Sequence, residues 1–533
     1  LRELHGQDTA DAAAQQLAQA VRDLQERLRQ LFNAHGGDIG KLDDYGVSHT
    51  HDTQAVRRAD GGAWEEFVFY LLDWSRIVDA KTGKAFTSEP GGRPNKAAAM
   101  AFLSRVREGI VTRGWNTREP SMAVGGKALY NQHAEARVLH FKDGDAWMDY
   151  NARFGSADPF SAMVGGLHGM ARDIAQMRVL GPNPKLGLEF AIQVAQKRVA
   201  GKDEAERQVL KKAALARTML SHVTGAVNQT EQEAWARFFA NTRSLITSAK
   251  LGAAILSAPT DLATISMAAK VAGLKPANVL GRASQLAASR ATRETAARMG
   301  YIAETLADTG SAAARFYSEQ MTSEIANRVT SFTIRASGLS YWTDMHKTAF
   351  QMEFAGYLAD NADSAFDDID APLRRVFEAR GITPEDWDAL REGGGLFTAP
   401  NGATFLSPIY WREHQIALTD IEAEGLSMRL QGAIEELVEY AVPTQRIEGR
   451  ALTIGDTRPG TVAGELLRSS AMFKSFALSL TLGQYRRFVS LPTGADRATY
   501  AAQMSAGLII LGALAIQLKE LAKGNDPRPM DDK

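Results

Sequence analysis

Three short constellations hold side chains of types that can do chemistry. His49 and His51, followed by Asp52, put two imidazoles two residues apart. On a strand both rings point one way and can chelate zinc, provided a third ligand arrives. His35 and His133 are the nearest other candidates and lie far along the chain, so a polar loop is expected and no metal. The stretch Gly455-Asp-Thr-Arg-Pro-Gly-Thr461 mimics the spacing of a phosphate-binding loop. Thr461 stands where the lysine belongs and no buried strand precedes the glycine, so Thr461 is read as the cap of a helix over Val462–Phe473. His414 follows Glu413, an acid–histidine neighbour pair of the kind common on helical surfaces.

Nothing else sharpens these into a catalytic centre. Metalloprotease, serine-hydrolase, dinucleotide and calcium-loop motifs are missing from the sequence. Glycan hydrolysis rests on a through-space separation of two carboxylates, which residue spacing does not supply. The chain has no cysteine, which excludes disulfides, thiolate metal sites and cysteine nucleophiles. The expectation is a non-enzyme with no catalytic, cofactor-binding or metal residues.

The elements that would position functional groups are helical. At 533 residues, 45% hydrophobic and 23% charged, the chain has ordinary globular composition and room for two to four domains. A net charge of −1 argues against a general nucleic-acid-coating protein and leaves only local basic faces. The chain begins at Leu1 and stops at Asp-Asp-Lys; it is expected to be a piece of a longer polypeptide or a processed product. Its first apolar residues are amphipathic rather than the block of a secretory signal.

Asp8 or Thr9 is the expected cap of a first helix, ended by Gly36-Gly37. Its apolar positions include Leu17, Val21, Leu24, Leu28 and Leu31, a 4,3 stripe suited to docking within its own domain or to an intersubunit coiled coil. A second helix is expected over Trp64–Val78, another around Lys96–Glu108, and a strand over Ala136–Phe141. Asp143 caps a short helix, and Asp158-Pro159 opens a longer one that Gly181-Pro182 stops. From Pro184 to Leu220 the helical sequence is basic, with Lys197, Arg198, Lys202, Lys211 and Lys212 as candidate DNA-facing residues. Pro259-Thr260-Asp261 breaks an apolar stretch into a helical hairpin. Thr383-Pro384 starts a helix, Asn401-Gly402 turns a β-hairpin, and an extended connector follows a helix over Ile421–Ala441.

Residues 498–518 carry no charge and are closed by Arg497 on one side and by Lys519, Glu520 and Lys523 on the other. As a helix they would span roughly 30 Å, about one hydrocarbon core. Glycines at 507 and 512 and the polar Thr499, Gln503, Ser505 and Gln517 dilute the stretch. Before it, Lys474, Arg486 and Arg487 stud the apolar run Phe473, Phe476, Leu478, Leu480, Leu482 and Phe488, a composition suited to an interfacial helix. Residues 462–523 are therefore read as one conditionally membrane-active unit. Its membrane candidates are Phe473, Phe476, Leu480, Phe488, Leu508, Ile509, Ile510, Leu511, Leu514 and Ile516.

Several stretches taken together are similar to a known family. They are Phe141-Lys-Asp-Gly-Asp-Ala-Trp147 with Phe154-Gly-Ser-Ala-Asp-Pro-Phe160, Gly169-Met-Ala-Arg-Asp-Ile174, Gly181-Pro-Asn-Pro184 and Lys250-Leu-Gly-Ala-Ala-Ile-Leu-Ser-Ala258. Further along come Gly338-Leu-Ser-Tyr-Trp-Thr-Asp344, Pro459-Gly-Thr-Val-Ala-Gly-Glu465, Phe473-Lys-Ser-Phe476 and Gln517-Leu-Lys-Glu-Leu-Ala-Lys-Gly524. Over most of its length the chain resembles the large internal virion proteins of tailed bacteriophages and prophages. The resemblance implies a DNA-ejection protein, stored in the capsid near the portal and passed into the host periplasm and inner membrane as part of a DNA conduit. It implies a homo-oligomer that meets other internal, portal or tail proteins and, non-specifically, double-stranded DNA, with the host inner membrane as a further partner and no cofactor. The alternatives are a purely structural core or portal-associated subunit and, more distantly, a cell-wall hydrolase subunit.

The expected fold is mainly α, an elongated multi-helical protein with one or two small β-hairpins. The expected segments are an N-terminal helical domain (1–130), a central domain with the basic helix (131–245), a further helical domain (246–392), a hairpin and connector region (393–460) and the apolar C-terminal segment (461–533).

Overall fold

The computed structural model describes residues 1–41, 46–47, 49–79, 83–111, 138–156, 158–228, 231–251, 258, 260–301, 339–392, 394–444, 446–472 and 474–529. The protein is mainly α. Its β structure among these residues is two antiparallel pairs, Val78–Asp79 with Lys84–Ala85 and Phe397–Thr398 with Thr404–Phe405. The chain divides into two compact units, Leu1–Ala214 and Leu215–Lys533.

In the first unit the helix Ala12–Ala34 starts two or three residues later than Thr9 or Asp8 would place it. Ala10 takes a left-handed φ of 55°, so the chain turns there, and Asp11 caps the amides of Ala13 and Ala14. Asp8 accepts instead from the Ala10 amide and the Gln15 side chain. The helix expected over Trp64–Val78 is Gly61–Leu71. It stops because the chain beyond it pairs with residues 140–142: Asp73 N donates to His140 O, and Lys142 N to Leu71 O. The expected strand at Ala136–Phe141 reduces to one bridge between Leu72 and Phe141, and residues 136 and 137 lie outside the described residues.

The core of this unit comes from apolar residues at helical spacing. Trp64, Val68 and Leu72 meet Trp147, Tyr150 and Phe154 of the helix Gly144–Phe154, together with Leu103 of Lys96–Val111. Asp143 caps Gly144–Phe154 through the Ala146 amide at 2.8 Å. The helix Pro159–Leu180 follows Asp158 as expected, and its Ile174 and Met177 close on Phe32.

The second unit is built around the helix Asp420–Ala441. Its Leu426, Leu430, Ile434, Leu437 and Val438 repeat at three- and four-residue intervals and are fully or almost fully buried. That face packs on the small-residue side of Asp261–Val271 and on Phe350, Phe354 and Leu358 of Leu339–Asp360. Thr264 Oγ1 donates to Ala441 O at 2.7 Å, satisfying a carbonyl in the last turn. Thr383 forms a capping box with Asp386, and the Asn401-Gly402 turn closes the second hairpin, Gly402 at a φ of 82°. The expected connector after Ala441 is not all extended. Ile447–Ile454 is a helix, held through its buried Glu448, which accepts from Arg486. The first arm of the expected hairpin, at 252–257, and the stretch 302–338 lie outside the described residues.

Candidate membrane-facing surface

The segment 462–523 falls into three helices, Val462–Ala471, Lys474–Ser490 and Gly494–Ala522. The first is anchored by charge. Thr461 caps it through the Gly464 amide at 3.0 Å, as expected, though the helix ends at Ala471 rather than Phe473. Glu465 and Arg243 of the helix Glu233–Leu251 are 4% and 3% exposed and form an ion pair at 2.7 Å. Glu465 also accepts from Gly460 N at 2.7 Å, and Arg243 donates to Ser469 Oγ at 3.1 Å. Arg468 donates to Thr457 O at 2.7 Å. The loop that mimicked a phosphate site is therefore filled by the protein's own anion: the Glu465 carboxylate occupies the Gly460 amide. A buried pair with its remaining hydrogen-bonding groups satisfied is held firmly, because losing one partner strands the other charge. Nearby, His222 donates from Nε2 to Gly455 O at 2.8 Å. Burial, with the charges of Arg450 and Arg468, lowers its pKa to about 4 and keeps the ring neutral at pH 7.

The second helix packs through a polar and charged seam. Ser479 is buried and accepts from Arg446 N at 3.1 Å. Arg486 pairs with Glu448, and Arg487 lies over the Tyr440 ring, 4.9 Å from its centroid. Phe488 packs on the cluster of Met267, Tyr500 and Met504, so it serves the protein's own packing here. Leu480 is half-buried. Phe473 lies outside the described residues, as does the side chain of Phe476.

The third helix is capped by Thr493, which accepts from Asp496 N at 3.0 Å. Its first half docks on Asp261–Val271. Tyr500 and Met504 are buried, Lys270 Nζ donates to Gln503 Oε1 at 2.9 Å, and a Cβ built on Gly507 would sit 3.0 Å from that of Ala263. Glycine at 507 is what lets the two backbones come this close. Past that contact the helix turns its apolar side chains outward. Leu508, Ile509, Ile510, Leu514, Ile516 and Leu521 are exposed, Ile509 by 69% and Ile510 by 67%, with Leu511 half-buried. At the far end, Glu520 accepts from Arg528 at 3.0 Å, Lys523 at 3.2 Å and Asn525 at 2.9 Å, which closes the helix with a knot of charge. Among the described residues this is the one helix long and apolar enough to cross a membrane by length and composition. Only 11% of its apolar window is buried, whereas the core helix of a soluble protein covers that surface.

The other residues singled out in the sequence fall in the first unit, except His414. Lys197 and Arg198 are exposed in the last turn of Pro184–Val199, where they complement the helix dipole. Lys202 is exposed between helices, and Lys211 and Lys212 are exposed on Asp203–Val223. None of these cations makes an ion pair among the described residues. The leucine stripe divides. Val21 is buried and Leu28 and Leu31 pack beside Phe32, Ile174 and Met177, while Leu17, 60% exposed, and Leu24 face outward. His51 Nδ1 meets the Tyr150 hydroxyl at 2.7 Å, and burial lowers its pKa to about 4; the His49 ring packs edge-on to Phe141. His414 stacks on Tyr410 at 3.8 Å.

Sequence reading did not anticipate the Arg243–Glu465 pair, whose partners are 222 residues apart. The available signal was a single acid, Glu465, in the first turn of the helix, which also fits an ordinary N-terminal carboxylate. In comparisons with known proteins, no family model, no curated protein and no solved structure matches this chain.

Proposed function

We propose that this chain is an internal virion protein of the genome-delivery type, which engages the host inner membrane through Gly494–Ala522 while DNA passes. The observation that carries the membrane part is the outward apolar face from Leu508 to Leu521. At about 1.5 Å per residue the helix is roughly 40 Å long, enough for a hydrocarbon core with an interfacial turn at each end. Charge at both ends, Asp496 and Arg497 in its opening turn and Lys519, Glu520 and Lys523 at its close, suits a segment whose ends stay in water. The assignment to virions, the homo-oligomer around DNA and the contacts with portal or tail proteins rest on the resemblance of the packing and capping motifs. The exposed cations from Lys197 to Lys212 suit non-specific contact with DNA phosphates.

Flotation with liposomes tests the membrane part. The full chain is expected to float with bilayers, and the triple substitution Ile509→Ser, Ile510→Ser, Leu514→Ser to stay at the bottom while folded. Indifference of the intact chain to bilayers contradicts the reading.

A further inference from the structure

Arg487 is in an unusual position at the root of the exposed helix. Its Nε and Nη2 are buried and have no hydrogen-bond partner, although a guanidinium keeps its charge inside a protein and all its donors seek acceptors. What surrounds it is aromatic and basic. The Tyr440 ring centroid lies 4.9 Å from Arg487 and 5.0 Å from Arg446. The charge of Arg375, on the helix Ala371–Ala379, acts on the same guanidinium, opposed by Glu436. Glu436 is itself paired with Arg380, and Glu439 with Arg446. The carboxylate that acts on Arg487 is therefore committed to Arg380, and Glu439 is shared between Arg446 and Lys347, so basic groups outnumber the acids here. A guanidinium with buried free donors is suited to take an oxyanion as partner.

The exposed helix is tied in beside this cluster, and the charge on Tyr500 acts on Arg487. Gln484 lies one turn before Arg487 on the same face. Its side chain donates to Tyr440 O at 3.4 Å and accepts from the Tyr500 hydroxyl. Tyr500 is the buried residue at the start of Gly494–Ala522. When the helix leaves its seat on Asp261–Val271, Tyr500 goes with it and the guanidinium edge opens, next to a segment apolar enough for the bilayer interior. A cation at that depth meets lipid phosphates.

We infer that Arg487, backed by Arg446 and Arg375, is a ligand for the phosphate of an anionic phospholipid headgroup, uncovered when the Gly494–Ala522 helix moves into the bilayer. The inference rests on the membrane reading above and adds to it a lipid class and a residue.

Binding of the full chain to phosphatidylcholine vesicles is compared with binding to vesicles that also contain phosphatidylglycerol. The wild type is expected to prefer the anionic vesicles, and Arg487→Gln to lose about fivefold of that preference, the share of one basic side chain at an anionic surface. Arg487→Gln should still bind phosphatidylcholine and should melt no lower than the wild type, since an unpaired buried charge is removed. Ala263→Cys with Gly507→Cys, in a chain otherwise free of cysteine, locks the helix to its seat when oxidised; vesicle binding should be lost and return on reduction. Millimolar inorganic phosphate should not compete. An unchanged preference in Arg487→Gln, a marked drop in its melting temperature, or competition by free phosphate overturns the headgroup assignment and leaves the membrane reading standing. Failure of the wild type to bind any vesicle overturns both.

Discussion

The helices Val462–Ala471 and Gly494–Ala522 lie in one C-terminal stretch that the sequence presents as a single apolar unit, yet they are held by opposite means. The first is fixed by the Arg243–Glu465 pair and the bonds of Arg468, almost without water. The second is seated through small residues and two buried side chains over half its length, and beyond Gly507 its apolar side chains face outward. A buried ion pair gives position and resists movement, because separation leaves a bare charge. Close contact of small residues is non-directional and adds little per residue, so a helix held that way can leave if another apolar phase takes it up. The rigid helix is thus the base and the loosely seated one the moving part.

The largest predicted effect breaks the base. Glu465→Ala strands Arg243 and is expected to lower the opening free energy of Val462–Ala471 by about 3–5 kcal/mol, read from hydrogen exchange of that helix. Replacing both partners, Arg243→Met with Glu465→Leu, should recover most of the loss. A loss as large in the double variant would show that the charges themselves, not their pairing, hold the helix. Gly507→Leu attacks the other side of the comparison. A larger side chain against Ala263 is expected to weaken the seat of Gly494–Ala522 by about 1–3 kcal/mol, with exchange quickened in that helix and not in Val462–Ala471.

Acid separates the two seats as well. The folded-state pKa of His222 is depressed to about 4, against about 6.5 for an unperturbed histidine. Between those values the unfolded chain binds a proton that the folded one refuses. The stabilisation is therefore complete above pH 6.5 and is lost as pH falls through that window. Thermal melts should show this slope in the wild type and a flatter one in His222→Gln. The smallest effect on stability is expected for Ile509→Ser with Ile510→Ser, within about 0.5 kcal/mol for exposed positions, while bilayer binding falls.

Much of the helical scaffold was readable because its punctuation is local. Asp143, Thr383 and Thr461 cap the helices expected of them, and Asn401-Gly402 turns the hairpin. Spacing also identified the apolar face of Trp64–Leu72, and a helix was expected where Asp420–Ala441 stands. The misplaced boundaries had non-local causes. A left-handed Ala10 moved the first cap to Asp11, and pairing with residues 140–142 cut the second helix at Leu71. The Arg446–Tyr440–Arg487 arrangement was out of reach for the same reason, since it joins two helices that spacing along one cannot relate. Exposure was the other hidden quantity. The sequence offered Phe488 and Ile510 as equals, and only packing separates a side chain seated on Met267 from one turned outward.

A polarity-sensitive fluorophore on Ile510→Cys, with Leu24→Cys labelled as the control, reads whether Gly494–Ala522 enters a bilayer. Liposomes are expected to shift the emission of the probe at 510 to the blue, and bilayer-embedded quenchers to dim it, while the probe at 24 does not respond. An unmoved spectrum at 510 in the presence of vesicles that the protein binds would contradict it.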